Sequence, residues 1–298
     1  MRDTPIAKWA PAVFVLLWST GFIGAKYGLP YSEPITFLWI RFAIVTSLLG
    51  VIVLVTRPAF PRDPGVWAHI AVTGLLLHSL YLGGVFTAID AGIDSGISAL
   101  IVGVQPLLVA LLVGPLLGES LSRQQWIGFL LGLCGLVLVL LKTFEIGRLP
   151  IEGLIANIIA LAGLVAGQLY QKRFVPAVDI RSGSLIQFAA ALVFSFFHAM
   201  LLETGEVVWH TDFVFALAWL CIVLSLGAMS LLWYLIRHGA ASRTASLFYL
   251  VPIGTAILGY LIFDEVLTPV QILGIVLTAT GVAIINRKTG VGARSRTG

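Results

Sequence analysis

Charge is what this sequence has least of. Only 11% of its 298 residues are Asp, Glu, Lys or Arg, against 59% hydrophobic residues and a mean hydropathy of +1.02, too little polarity to clothe a surface facing water. The composition is that of an integral membrane protein. Cysteine is also scarce: Cys134 and Cys221 both fall in apolar runs, where a thiol acts as a small hydrophobe and says nothing of redox compartment. The loops are too short to hold a domain outside the membrane. Catalytic signatures are missing as well, with no H-E-x-x-H, no G-x-S-x-G and no G-x-x-x-x-G-K-[ST], and "GIDSG" at 92–96 lacks a nucleophile's spacing. No enzyme, cofactor or metal site is expected.

Long apolar runs are what the chain does have. Crossing ~30 Å of hydrocarbon takes roughly 20 residues at 1.5 Å each, and ten such stretches follow one another: about 8–27, 34–55, 66–89, 95–116, 123–141, 152–171, 182–202, 213–236, 244–263 and 268–286. The first runs on past the length of a signal peptide and lacks a small-x-small cleavage site, so it reads as a span. Lys and Arg set the orientation. With the N-terminus in the cytoplasm, Arg2, Lys8, Arg57, Arg62, Arg123, Lys172, Arg173, Arg181, Arg237, Arg243, Arg287, Lys288, Arg294 and Arg296 lie inside, and only Lys26, Lys142 and Arg148 outside. Both termini are therefore expected in the cytoplasm. The net charge of +4 is a topology signal and no argument for nucleic acid.

The chain also repeats itself. "LWIRFAIV" at 38–45 returns as "LIQFAAAL" at 185–192, and an offset of 146 lays Arg41 on Gln187, Ala99 on Ala245, Pro106 on Pro252, Ala110 on Ala256 and Glu119 on Glu265. The same offset matches Leu121 with Leu267, Gln125 with Gln271, Gly128 with Gly274 and Gly135 with Gly281. Apolar helices align easily by composition, but proline, glutamate and glutamine holding one offset are a harder test. Each copy has five helices, an odd number, so the second enters from the opposite side and the repeats are expected to be inverted, with Glu119 at the cytoplasmic edge and Glu265 at the outer edge. Inverted repeats are a recurring transporter architecture, with the solute site near the midplane.

"SGISALIVGVQPLLVALLVGPLLGESLSRQQWIGFLLGLCGLVLVL" and its copy "SRTASLFYLVPIGTAILGYLIFDEVLTPVQILGIVLTATGVAIIN" resemble the ends of EamA repeats in the drug/metabolite transporter superfamily, and "LLWSTGFIGAK" with "WIRFA" resembles the start of one. Asp264 stands where that pattern has glycine, and "LAGLVAGQLYQKR" has no tryptophan to match Trp18. The resemblance implies an all-α membrane fold of ten transmembrane helices in two inverted five-helix repeats around a central cavity: 8–141, then 152–287, with a basic cytoplasmic tail at 288–298. It implies a secondary transporter in the cell's inner membrane. Gly128 and Gly132 form a G-x-x-x-G that reads as packing within the chain. A monomer is expected, because fusing both repeats removes the need to dimerise.

Rise along each helix puts Trp18, His78 and the Gln105–Pro106 pair near mid-membrane. His78, with Tyr81 three residues on, reads as a polar aromatic patch on a cavity. Gln105, Gln168, Tyr249 and Thr20 complete the candidate binding set, although Thr20 beside Ser19 has the alternative of bonding its own helix. Pro106 and Pro252 each free a carbonyl one turn earlier and are hinge candidates. Arg41, ~10 Å inside its helix, reads as structural, its stem snorkelling or its guanidinium on helix-end carbonyls; a substrate-carboxylate anchor is the alternative. Gln187 fits the structural reading.

No Asp or Glu falls near the middle of a span: Asp90, Asp94, Glu119 and Glu265 sit at helix ends. Proton-for-cation exchange at a buried carboxylate is not expected, nor is a Lys/Arg cluster for phosphate. Small neutral, zwitterionic or amphipathic solutes remain, amino acids first, with export suggested by the resemblance and a multidrug or lipophilic-toxin exporter as the alternative. If protons couple, His78 is the one well-placed titrating group.

Overall fold

The computed structural model describes residues 5–93, 95–140, 150–263 and 268–287. Expectations that rest on Arg2, Asp94, Lys142, Arg148, Asp264, Glu265, Leu267 and the 288–298 tail lie outside the described residues. The described residues are helical apart from their connections, with one isolated antiparallel bridge between Ser32 and Val207. In chain order the helices are α1 (Trp9–Tyr31, continuous with Pro5–Ser19), α2 (Pro34–Thr56), α3 (Pro64–Asp90), α4 (Ile97–Leu117), α5 (Arg123–Leu140), α6 (Ile151–Phe174), α7 (Ile180–Leu202), α8 (Thr211–His238), α9 (241–263) and α10 (Pro269–Asn286). Eight of them, all but α5 and α9, are long and apolar enough to cross a membrane by length and composition.

Local chemistry places the ends. Pro34, Pro64 and Pro269 open α2, α3 and α10, where a missing N–H costs nothing because that group has no intrahelical acceptor. Asp63 caps α3 by accepting from Gly65 N, and Asp179 caps α7 by accepting from Arg181 N. At α10, Thr268 and Gln271 form a reciprocal capping box.

Two long antiparallel pairs organise the bundle, α2 with α7 and α5 with α10. In the first, Glu33 ahead of α2 accepts from Thr204 N and Oγ1, both at 2.8 Å, beyond the end of α7. In the second, a Cβ on Gly281 would stand 2.5 Å from the Gly128 carbonyl, and a Cβ on Gly135 would stand 2.5 Å from the Gly274 carbonyl. Backbones this close need glycine on both sides.

Interruptions recur at matching places in the two halves. α4 breaks at Val104, just ahead of Pro106, and α9 tightens over Leu247–Tyr249, just ahead of Pro252. A proline removes one N–H and biases the residue before it away from the helical region, and Leu107 N accordingly turns to Val104 O at 3.0 Å. α3 and α8 each contain a widened π-helical stretch, Leu75–Leu80 and Leu220–Ala228.

The two ends of α8 are held by different contacts. Beside its Thr211 end, Glu203 accepts from Ile35 N at 2.8 Å and from Thr36 N at 2.5 Å, and Tyr31 Oη donates to Asp212 at 3.3 Å. Beside its His238 end, Lys172 Nζ donates to the carbonyls of Ile236 at 2.9 Å and Gly239 at 2.7 Å. Glu119 there accepts from Ala241 N at 2.8 Å and Ser242 Oγ at 3.0 Å, at the start of α9.

Candidate functional site

A cavity of about 440 Å3 of atom-free space, part of it open, lies between α1, α2, α3 and α8. Trp18 and Tyr81 form one aromatic wall, their rings near-parallel at 12° with centroids 6.3 Å apart. Phe248 of α9 meets Trp18 edge-on at 5.2 Å from behind. Val85, Phe86, Leu220, Leu224 and Met229 make most of the remaining wall apolar. The exception is Arg41.

Arg41 is 2% exposed and lines this cavity. Its Nε donates to Ser225 Oγ at 3.0 Å, while Cys221 Sγ reaches the Arg41 carbonyl at 3.7 Å. The guanidinium does not snorkel to a surface, and it binds a side chain of α8 rather than helix-end carbonyls. The ion pairs among the described residues are Arg181 with Asp179 and His210 with Asp212, so none of them involves Arg41.

The other sequence candidates divide. Trp18 and Tyr81 are on the wall; Thr20, His78, Gln105, Gln168 and Tyr249 are not. Thr20 Oγ1 donates to its own helix at Leu17 O, 2.7 Å, and accepts from Trp219 Nε1 at 2.9 Å. His78 is 1% exposed and stacks on Phe188 at 4.1 Å, with Phe42 at 6.0 Å and with Gln187 and Arg41 as polar neighbours. Gln105 and Gln168 find each other, Nε2 donating to Oε1 at 2.8 Å between α4 and α6, and Gln105 Oε1 and Gln168 Nε2 stay without a partner. Near them Ser98 Oγ donates to Asn157 Oδ1 at 3.2 Å. Tyr249 is fully buried against Gly132. Pro106 and Pro252 lie at the paired interruptions, and Gln187 is buried where α3 crosses α7 at Gly74.

No residue of α8 is among the sequence candidates for this cavity, although Leu220, Leu224 and Met229 line it. Ser225 was the available signal, a lone hydroxyl in the apolar run "CIVLSLGAM". The π-helical stretches left no mark in the sequence pattern. Among the described residues no group of three or more His, Cys, Asp or Glu is placed to hold a metal ion.

The model of the EamA-like transporter family matches this chain twice, over residues 8–141 and 151–287. The chain belongs to the EamA-like transporter family. An uncharacterized transporter, YvbV, of Bacillus subtilis is 26% identical over 97% of this chain and 95% of its own length. A protein of Escherichia coli named "Probable amino-acid metabolite efflux pump" is 25% identical over 91% of each chain. The uncharacterized inner membrane transporter YedA of Escherichia coli is 24% identical over 96% of this chain and 92% of its own. A solved crystal structure of a protein 20% identical to this chain superposes with a TM-score of 0.76, covering 93% of this chain and 96% of that one. It shows the shared fold. Family membership makes the protein a multi-span membrane transporter, acting on a small molecule within a lipid bilayer.

Proposed function

We propose that this EamA family member is a secondary transporter of the inner membrane that exports small neutral or zwitterionic metabolites, amino acids foremost, by alternating access. The observation that carries the reading is the cavity between α1, α2, α3 and α8, with its aromatic pair and one buried cation on an otherwise apolar wall. A site of this kind orients a small solute by few polar contacts and holds its body by apolar ones. The similarity to a protein named as an amino-acid metabolite efflux pump supports the substrate class.

Alternating access by inverted repeats is supported by the α5–α10 contacts. Gly128 meets Gly281 and Gly135 meets Gly274, and the offset of 146 turns either pair into the other. Reciprocal contacts of that form are what a twofold axis produces. Because α5 and α10 run antiparallel, the axis crosses them and lies in the membrane plane. In this reading α5 and α9 also cross the bilayer, giving ten helices, and the bias of Lys and Arg keeps both termini in the cytoplasm.

The test is counterflow of radiolabelled amino acids into proteoliposomes holding the purified protein, with and without a pH gradient. Saturable exchange that unlabelled substrate competes supports the carrier. Linear, uncompetable flux would sink it in favour of a channel. The apolar lining favours a second reading, an exporter of lipophilic compounds, which predicts competition by hydrophobic drugs and none by amino acids.

A further inference from the structure

The geometry points to Arg41 as the anchor of a substrate carboxylate, and to a substrate that is a small amphipathic monocarboxylate of net negative charge rather than a zwitterion. The proposal rests on the carrier reading but departs from its substrate class, putting an anion in place of a neutral or zwitterionic solute.

A guanidinium has five N–H donors. Arg41 commits Nε to Ser225 Oγ, and this is its one side-chain hydrogen bond among the described residues. The terminal nitrogens keep their donors for something else, and the residue lines the cavity while 2% exposed. A charge buried without a counter-ion is strongly unfavourable, and an ionisable residue at membrane depth marks a ligand or a partner charge. No described Asp or Glu supplies that partner. A carboxylate matches the planar fork of the two terminal nitrogens with two parallel hydrogen bonds.

The remaining wall says what the anion is attached to. Trp18, Tyr81, Phe86, Leu220 and Leu224 offer an apolar body its contacts. Nothing on that wall is an acid. An α-ammonium entering with the carboxylate would lose its water and gain no counter-charge, so an amino group is a cost in this cavity. Nor does helix pairing require the cation. Gln187, which the offset of 146 aligns with Arg41, is buried in α7 with a neutral amide.

The test compares three compounds with one apolar body in proteoliposome counterflow at pH 8: 3-phenylpropanoate, which has the carboxylate alone; phenylalanine, which has both groups; and phenethylamine, which has the ammonium alone. 3-Phenylpropanesulfonate, which stays ionised, separates carriage from leakage of a neutral acid. The expected result is saturable exchange of 3-phenylpropanoate, competition by the sulfonate, and weak or absent competition by phenylalanine and phenethylamine. Arg41→Gln should weaken 3-phenylpropanoate by roughly tenfold to a hundredfold, the worth of a charged hydrogen-bonded contact. Arg41→Lys, which keeps charge and loses the fork, should fall between. Phenylalanine carried in preference to 3-phenylpropanoate would overturn the proposal and leave the carrier reading standing. Arg41→Gln carrying 3-phenylpropanoate at wild-type affinity would overturn it as well. No saturable exchange of any compound, amino acids included, removes the carrier reading and the proposal together. The wild-type ranking decides the matter even if Arg41 variants do not fold.

Discussion

Thr278 Oγ1 of α10 donates to the Gly132 carbonyl of α5 at 3.4 Å, and the two residues stand 146 apart in sequence. That separation is the offset that superimposes the second half of the chain on the first. A residue touching the one that the offset aligns with it is what the proposed inverted repeat requires beside its axis. The Gly128–Gly281 and Gly135–Gly274 approaches fall on either side of this contact along the helices.

The packing of α5 on α10 yields a direct prediction. Gly281→Ala puts a methyl 2.5 Å from the Gly128 carbonyl and 2.7 Å from Gly132 N, where only backbone can give way. It should cost about 1–3 kcal/mol, the usual penalty of overpacking. Gly50→Ala, which meets nothing within 4 Å, should leave stability unchanged or raise it. Melting temperatures of the two variants in detergent test this; equal behaviour would mean that the α5–α10 contact is loose.

The Gln105–Gln168 pair should behave as a unit. Gln105→Leu leaves Gln168 buried with its remaining partner gone, which costs about 1–3 kcal/mol, although hydrogen bonds between membrane helices average only about 0.6 kcal/mol net. Replacing both by Leu removes the unpaired group as well. The double variant should therefore lose less stability than the sum of the single ones, with a coupling of about 0.5 kcal/mol or more. Strict additivity in thermal unfolding would refute the pairing.

Much of the fold was legible because a bilayer allows few solutions. Apolar length located the helices to within a few residues, and a single offset carried by Pro106 with Pro252 and Glu119 with Glu265 exposed the duplication. The site was less legible. Depth along a helix can be counted from sequence, but the direction a side chain faces cannot when the helix is apolar all round. His78 packs on Phe188, and Gln105 turns to Gln168 rather than to the cavity between α1, α2, α3 and α8. The partner of Arg41 was not legible either, because Ser225 comes beside it only when α2 and α8 are brought together.

Two carboxylates fasten helix starts that belong to other parts of the chain. Glu203 accepts from the first-turn amides of α2, and Glu119 accepts from those of α9. These are amides with no partner inside their own helix, next to the positive end of its dipole. Glu203→Ala and Glu119→Ala should each destabilise by about 1–3 kcal/mol, with Gln at either position intermediate because it keeps an acceptor but not the charge. Thermal unfolding of the six-protein set of wild type, both Ala variants, both Gln variants and the double Ala variant measures it. Gln and Ala losing equally at both sites would show that the charge is idle.

The connection between α6 and α7 carries a pH dependence whose sign follows from geometry. Asp179 accepts from Arg181 N at 2.9 Å and from Arg181 Nε and Nη2 at 3.0 and 2.7 Å. The Arg181 side chain holds its carboxyl below the usual carboxylate range, with Arg237 nearby adding to the effect. A depressed folded-state value means that the stabilisation is fully present above the unfolded value of about 3.9 and is lost as pH falls through the folded one. Both partners are partly exposed, so the contribution is a small one. The melting temperature of wild type minus that of Asp179→Asn should be positive and flat from pH 7 to about pH 5, then shrink below about pH 4. A difference that stayed constant down to pH 3 would show that the effect of Asp179 does not come from its charge.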